Sequence, residues 1–379
     1  MPPTRQRERA LFHALLDYTN QRSFLAGKAL HAHLLRTSTG AICAHLSNCL
    51  VNFYVKCGHL RTARHLFDII PKRDTFSWNC IINAYARHPD GPASVWELFS
   101  RMRKENTLPN PHTFSGVFTG LASGSGLGAS SCTWICRQTH VLAVKTDSLG
   151  DVFVGSSLVN VYSKLGLLVD AGKVFDRMLE RNSVSWSAMI SGYASRRVVG
   201  ETLRLFGSMR VEVGKDEVNE FVYTSVLSAL ASSEFVGIGK GVHSLLVKNS
   251  LLSFVSVVNA LVTMYAKCGS MDDSLRMFEL SSEKNAITWS AMITGFAQSG
   301  DSLSALELFS KMHYGGIVPS EFTIVGFLNA CSDAGAAHNG KQGHAYLVKL
   351  GYESQIYIMT ALVDMYAKCG CTVDARKGF

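Results

Sequence analysis

This chain of 379 residues lacks the short signatures that usually identify catalytic and membrane proteins. It contains no phosphate-binding G-x-x-x-x-G-K-[ST] loop, no C-x-x-C pair and no histidine followed by x-E, which zinc deamination requires. No uninterrupted apolar run is as long as a membrane span. We therefore expect a protein without catalytic activity, cofactor or metal, and without a membrane partner.

Charged residues are also few, and the cysteines are not spaced like the ligands of a metal site. Charged residues make up 17% of the chain and the net charge is +8, which is compatible with a polyanionic partner but does not identify one. Three of the ten cysteines, Cys57, Cys268 and Cys369, occupy the same K-C-G tripeptide. This recurrence predicts structural thiols in a reducing compartment.

What the chain does contain is a repeat. Near copies of one segment begin at Leu50 (LVNFYVKCG), Leu158, Leu261 and Leu362, and their starts are separated by 108, 103 and 101 residues. A tryptophan motif (WNCIINAYA, WSAMISGYA, WSAMITGFA) is spaced by 108 and 103 residues, and a recurring histidine by 109, 103 and 101. Three unrelated motifs therefore share one cycle, and its last complete copy divides into units of 31, 35 and 35 residues.

Each unit is predicted to form two helices. Within 286–320, apolar residues at i, i+3, i+4 and i+7 from Trp289 form one helical stripe, which Gly300 ends. Asp301 is placed to cap a second helix with its own apolar stripe from Ala305. One such hairpin cannot bury its apolar face alone, so stacked neighbours and an all-α, α-solenoid fold are expected.

The uneven 31/35/35 cycle with these motifs resembles the pentatricopeptide-repeat family, in particular its plant subgroup built from P, L and S motifs. A tetratricopeptide array has a single 34-residue period, which the uneven cycle disfavours. The resemblance implies a right-handed superhelix of about eleven repeats after a short segment, 1–7. The predicted array covers 8–379, as motifs 8–43, 44–74, 75–110, 111–151, 152–182, 183–219, 220–254, 255–285, 286–320, 321–355 and an incomplete 356–379.

One face of each first helix carries the candidate binding residues. Positions 5, 9 and 13 of a motif are four apart and share a face, and all three are polar in the four short (S) motifs and the three long (P) motifs that follow them. Position 5 is confined to Asn, Ser or Thr, which suit base edges better than a plain surface. Position 13 of the short motifs suits phosphate and is always lysine: Lys56, Lys164, Lys267 and Lys368.

The resemblance assigns further roles. It implies that the partner is single-stranded RNA and that position 2 sandwiches bases, here Phe76, Phe153, Val184, Ile287 and Tyr357, with His45 and the departure Ser256. It also implies that position 5 and the last residue of a motif choose the base. Asn48 with Asp74 suggests U; Asn79 with Asn110 and Asn259 with Asn285 suggest a pyrimidine; Ser156 with Asn182 and Ser187 with Asn219 suggest A; Ser290 with Ser320 is undefined.

The L motifs cannot be read in this way, because Thr224 pairs with Phe254 and Val325 with Gln355. Ser115 with Asp151 would suggest G, although a pair in an L motif is not reliable. With these positions open, the expected core is 5′-U-Y-n-A-A-n-Y-3′. The family further implies action in a mitochondrion or chloroplast, often in choosing sites for cytidine-to-uridine editing, with a separate deaminase or editing factor.

Two alternatives remain at this stage. The chain could be a protein-binding scaffold, with the L-motif faces docking a partner, or a non-functional truncated fragment. The last motif starts at Ile356 and reaches only residue 24 of an expected 31, and no polar capping repeat follows. Leu362, Val363 and Tyr366 are accordingly expected to be poorly covered.

Overall fold

A computed structural model describes residues 3–37, 44–88, 91–123, 127–214 and 218–377. These residues contain 22 α-helices and no strand, which confirms the all-α prediction. The chain divides into two compact units, Met1–Gly192 and Tyr193–Phe379, and the boundary lies within one helix.

The odd-numbered helices are the first helices of the hairpins. They are α1 (Pro3–Asn20), α3 (Ala44–Lys56), α5 (Thr75–Tyr85), α7 (Pro111–Leu121), α9 (Val152–Lys164), α11 (Ser183–Ser195), α13 (Glu220–Ala229), α15 (Val255–Lys267), α17 (Ala286–Gln298), α19 (Glu321–Asp333) and α21 (Ile356–Lys368). Within the first unit α1, α3, α5, α7 and α9 pack in succession, and within the second α13, α15, α17, α19 and α21 do the same.

The even-numbered helices are the second helices. They are α2 (Phe24–Thr37), α4 (Leu60–Asp68), α6 (Gly91–Lys104), α8 (Ala129–Lys145), α10 (Leu168–Arg177), α12 (Val199–Glu212), α14 (Val236–Lys248), α16 (Met271–Leu280), α18 (Ser302–Tyr314), α20 (Ala337–Leu350) and α22 (Thr372–Lys377). Helix α4, for example, contacts both α3 and α5, and α18 contacts both α17 and α19. This nearest-neighbour packing of hairpins is that of an α-solenoid.

The hairpin predicted over 286–320 is present as expected. Trp289 and Phe296 of α17 are buried, and Gly300 ends the turn with a φ of +84°, a conformation that glycine adopts without steric cost. The Asp301 side chain then accepts a hydrogen bond from the backbone N–H of Ser304 at 3.1 Å, which caps α18.

The tryptophan motif forms the junction between each short motif and the long motif that follows it. A phenylalanine of the preceding second helix meets the tryptophan edge to face, with 4.8 Å between ring centroids at all three junctions. Such pairs add about 0.5–1.5 kcal/mol beyond the buried area. The pairs are Phe67 with Trp78, Phe175 with Trp186, and Phe278 with Trp289.

The recurring histidine and the tyrosine of the leucine motif are partners. In each copy the histidine Nδ1 lies 2.9 Å from the tyrosine hydroxyl, and the contact joins a second helix to the next first helix. Burial lowers the pKa of three of the histidines. The pairs are His31 with Tyr54, His140 with Tyr162, His243 with Tyr265, and His344 with Tyr366.

Two other expectations have clear outcomes. The nine described cysteines form no disulfide with one another, and the tenth, Cys43, lies outside the described residues. The prediction of poor cover over α21, the first helix of the last motif, was wrong for Leu362 and Tyr366, which are 1% and 4% exposed, whereas Val363 is half-buried. Helices α19, α20 and α22 pack against α21.

Candidate nucleic-acid interface

Exposure increases along the polar face of the first helices. At position 5, Asn48 and Ser156 are each 3% exposed and Asn259 is 7% exposed, whereas the lysines at position 13 are exposed. Position 5 lies in the second turn and is half-buried at Asn79, Ser187 and Ser290, whereas Thr360 of the last short motif is exposed. Position 5 is therefore not part of a plain solvent-facing surface in the motifs of Asn48, Ser156 and Asn259. A buried polar side chain needs hydrogen-bond partners, and these three find them at or near the end of their own motif.

The last residue of most motifs caps the helix that follows. In seven motifs its side chain accepts a hydrogen bond from a backbone N–H in the first turn of that helix. These residues are Asp74, Asn110, Asp151, Asn182, Asn219, Asn285 and Ser320. Two L motifs, to which the base-reading rule assigns no base, end in Phe254 and Gln355. Neither of these side chains makes a capping hydrogen bond.

Three of the predicted base-reading pairs are in direct contact, all in the first unit. Asn48 Nδ2 donates to Asp74 Oδ1 at 3.3 Å, Asn79 Nδ2 to Asn110 Oδ1 at 3.0 Å, and the Ser156 hydroxyl to Asn182 Oδ1 at 3.0 Å. Burial opposes ionisation of Asp74, but hydrogen bonds from Ser77 and Asn48 outweigh it and lower the pKa of the carboxyl. Asp74 is therefore charged at neutral pH.

The other predicted pairs have different partners. Asn259 contacts Ser281 at 3.4 Å, and Asn285 contacts Thr288. Ser320 lies 2.9 Å from the Thr323 hydroxyl, and Ser290 accepts, through its carbonyl, a hydrogen bond from Thr294. The Ser187 hydroxyl donates to the Ser183 carbonyl at 2.6 Å in the first unit, while Asn219 caps α13 in the second.

Position 2 forms a row of exposed apolar side chains. The five predicted stacking residues, Phe76, Phe153, Val184, Ile287 and Tyr357, are between 41% and 69% exposed. The sequence reasoning stopped at the P and S motifs and missed Phe221 and Phe322, which hold the same position in L motifs and are 66% and 72% exposed. Counting from the first residue of each L motif would have found them. The rings of Phe322 and Tyr357 have centroids 6.3 Å apart, inclined at 33°.

The position-13 lysines divide into two kinds. Lys56, Lys164 and Lys267 are exposed and make no ion pair with any described residue. Lys368 instead pairs with Asp364, one turn earlier, at 2.9 Å. The acidic residue partly neutralises this lysine, so its role as a phosphate contact is weakened.

Grooves between successive first helices bring the predicted roles together. In the first unit a groove of about 830 Å³ is lined by Asn52, Lys56, Phe76, Asn79, Asn83 and Arg87. In the second unit a groove of about 350 Å³ is lined by Ser256, Asn259, Thr263, Lys267, Asn285 and Ile287. Each groove therefore combines a lysine, an apolar position-2 side chain and an asparagine at position 5, drawn from two neighbouring motifs.

Two negative findings apply to the described part of the chain. It contains no group of three or more His, Cys, Asp or Glu side chains able to hold a metal ion. None of its helices combines the length and apolar character needed to cross a membrane.

Comparison with known proteins identifies the repeat. A family model described as the PPR repeat family matches residues 73–123 and 284–333, and one described as PPR repeat matches 156–183, 184–212 and 256–285. A pentatricopeptide repeat-containing protein of Arabidopsis thaliana is 46% identical over 371 residues, which is 97% of this chain and 50% of that protein. A chloroplastic relative from the same plant is 31% identical over 370 residues, covering 97% of this chain and 58% of its own length.

The fold has a match among solved structures. The crystal structure of the pentatricopeptide repeat protein PPR10 in complex with an 18-nt psaJ RNA element aligns with a TM-score of 0.67 at 16% identity, over 92% of this chain and 51% of that one. At that identity the likeness shows the fold alone. The chain spans about half the length of curated relatives that it matches. This chain thus carries pentatricopeptide repeats and is a homologue of the plant pentatricopeptide-repeat proteins.

Proposed function

We propose that this chain binds single-stranded RNA in a sequence-dependent way, along the grooves between its first helices. The observation that carries the proposal is the meeting of three kinds of side chain in one groove. A groove such as that around Asn79 offers a phosphate-binding cation in Lys56, a stacking surface in Phe76 and a base-edge amide. A duplex would hide the base faces and edges that these side chains suit.

The position-2 row supplies affinity without sequence preference. Phe76 and Phe153 are more than half exposed, although burying an aromatic ring is favourable, so they are available to stack on a ligand. Stacking is worth about 1–3 kcal/mol per base and tolerates any base, because every base has a π face. The unpaired lysines, Lys56, Lys164 and Lys267, add contacts to the backbone phosphates.

The paired polar residues supply the preference. In the first unit each contact between position 5 and the last residue fixes the orientation of a small amide or hydroxyl before any ligand binds. We propose Asn48, Asn79, Ser156, Ser187, Asn259 and Ser290, each with the last residue of its motif, as base-reading residues. The expected ligand contains 5′-U-Y-n-A-A-n-Y-3′.

The biological role proposed here is site recognition in organelle RNA editing or another step of RNA processing. Relatives named as mitochondrial and as chloroplastic support an organelle location. The chain would bind without catalysing a reaction, and in editing a separate protein would supply the deaminase. The motif divisions and the P, L and S classes are part of the same proposal.

A competition gel shift tests the proposal. The chain is titrated with a labelled RNA of about 18 nucleotides that contains the expected core, which leaves several flanking nucleotides when each motif binds one base. The complex is then challenged with unlabelled core RNA, permuted RNA or the duplex. We expect the core RNA to compete at least about tenfold better than the permuted strand, which corresponds to one good base contact. Equal competition by core and permuted strands, or better competition by the duplex, would refute sequence-dependent single-strand binding.

A further inference from the structure

Two motifs carry the same pair of residues in different surroundings. Asn79 with Asn110 and Asn259 with Asn285 are both an asparagine at position 5 with an asparagine at the end of the motif. In both, the last asparagine caps the next helix, at 3.0 Å. A rule based on these two positions assigns the two motifs the same base. Both motifs are also followed by a threonine three residues after the last asparagine, Thr113 and Thr288, whose N–H and hydroxyl donate to that asparagine. The hydrogen-bond partners of the position-5 amide nevertheless differ.

Around Asn79, Thr113 in the first turn of α7 closes a ring of hydrogen bonds. Asn79 Nδ2 donates to Asn110 Oδ1 at 3.0 Å, and the Thr113 hydroxyl donates to Asn79 Oδ1 at 2.6 Å. The same hydroxyl accepts from the Asn110 backbone N–H at 3.1 Å. Thr113 is fully buried. Both ends of the Asn79 amide are therefore fixed, and one N–H is left for a ligand.

Around Asn259 the amide contacts a different residue, Ser281. The Ser281 hydroxyl, 4% exposed, is shared between the Glu283 carbonyl oxygen at 2.8 Å and Asn259 Oδ1 at 3.4 Å. Asn285 Oδ1 is occupied by the N–H and hydroxyl of Thr288.

Ser281 belongs to the linker after α16, and the short motifs 44–74 and 152–182 have Ile70 and Met178 at the corresponding position. An apolar side chain there could not compete for the amide of position 5. Ser281 therefore introduces a polar partner that those two motifs lack.

We infer that Thr113 and Ser281 determine how strongly these two identical pairs discriminate between bases. Thr113 is a positioning residue that holds the Asn79 amide against Asn110 and towards the groove. The Asn259 amide has no hydrogen bond to Asn285 or Thr288, and Ser281 competes for it through a single contact of 3.4 Å, so the amide is fixed less firmly than that of Asn79. The inference rests on the proposed RNA binding, and it predicts sharper discrimination at the nucleotide bound by motif 75–110 than at that bound by 255–285.

The test measures affinity for RNAs that differ at one nucleotide, either the one opposite motif 75–110 or the one opposite 255–285. Each measurement gives the ratio of pyrimidine to purine affinity at that nucleotide. We expect the first ratio to exceed the second in the unaltered chain by about threefold or more, the size of one neutral hydrogen bond. Thr113→Val should lower the first ratio by about the same factor. Val222 shows that valine is accommodated at the equivalent site of another motif.

Two further variants separate positioning from folding. Thr113→Ser keeps the hydroxyl and should restore the first ratio, while Ser281→Ala should raise the second ratio and leave the first unchanged. Thermal melting of each variant records stability alongside the ratios. Unchanged ratios in Thr113→Val and Ser281→Ala, or a uniform loss of affinity that follows the melting temperature, would overturn the inference while leaving RNA binding intact. An unaltered chain that does not distinguish RNA sequences would instead refute the proposed function, and the inference with it.

Discussion

Asn48 and Asp74 lie 26 residues apart in the chain, and the Asn48 amide donates a hydrogen bond to Asp74 Oδ1 at 3.3 Å. The same oxygen accepts from the backbone N–H of Ser77 at 2.8 Å and from its hydroxyl at 2.7 Å. One carboxylate thus both caps α5 and sets the surroundings of a candidate base-reading side chain. Stability and specificity can be separated at this residue by choosing the substitution.

Asp74→Asn should change base preference and leave the fold intact. Asparagine caps a helix about as well as aspartate, so the free energy of unfolding should hardly change. The preference for U at the nucleotide bound by motif 44–74 should relax towards any pyrimidine, by about 1 kcal/mol. Competition with RNAs carrying U or C at that nucleotide measures the change, and an undiminished preference for U would contradict the assignment of the pair.

Asp74→Ala is the matched control for stability. It removes the cap of α5 and should lower the free energy of unfolding by about 1 kcal/mol, measured by denaturant titration. A variant as stable as the unaltered chain would show that the carboxylate does not cap α5 in solution.

Removing the unpaired lysines should weaken binding to every RNA alike. The triple change of Lys56, Lys164 and Lys267 to alanine should flatten the log–log salt dependence by about 0.7 per contact, about two units in all. Lys368→Ala should have a smaller effect than any one of them, because Asp364 already neutralises that lysine. The control is Lys173→Ala, because Lys173 is exposed on a second helix, α10. This change should leave the salt dependence of binding unaltered. An unaltered slope in the triple variant would mean that these lysines do not touch phosphate.

Phe322→Ala tests whether an L motif contributes affinity. We expect weaker binding by about 1–3 kcal/mol, the value of one stacked base, with base preferences unchanged because Val325 offers no polar reading group. Leu303→Ala removes a comparably exposed apolar residue from a second helix, 76% exposed, and should not affect binding. Equal affinities of the Phe322 variant and the unaltered chain would place the RNA away from the L motifs.

The histidine–tyrosine contacts predict a loss of stability in mild acid. Burial lowers the folded-state pKa of His31, His140 and His243 below the ordinary 6.5, so the unfolded chain takes up protons first as the pH falls. The stabilisation is complete above pH 6.5 and is lost as the pH falls through the lowered value. The unfolding midpoint should therefore be lower at about pH 5.5 than at about pH 7.5. The double variant His140→Gln, His243→Gln should show a weaker pH dependence, and an identical one would exclude these histidines as its source.

Much of the fold could be predicted because helical periodicity is local. The stripe from Trp289 and the cap at Asp301 both follow from residues within two turns of one another. The contact between Lys368 and Asp364 is also local, four residues apart, and could have been predicted. What could not be predicted depends on packing between motifs: the burial of Asn48, the cover over Leu362 and the meeting of Asn79 with Thr113, 34 residues away.

The use of capping residues at the ends of motifs has a consequence for how such a chain can change its target. Exchanging Asn, Asp and Ser for one another at a helix cap changes the free energy of unfolding by a few tenths of a kcal/mol to about 1 kcal/mol. All three residue types occur at the ends of motifs in this chain, as Asn110, Asp74 and Ser320. On the base reading proposed above, a mutation from one to another would leave the array folded while it altered the base preferred by one motif. Retargeting can therefore proceed one motif at a time through intermediates that all fold, without compensating changes elsewhere in the chain.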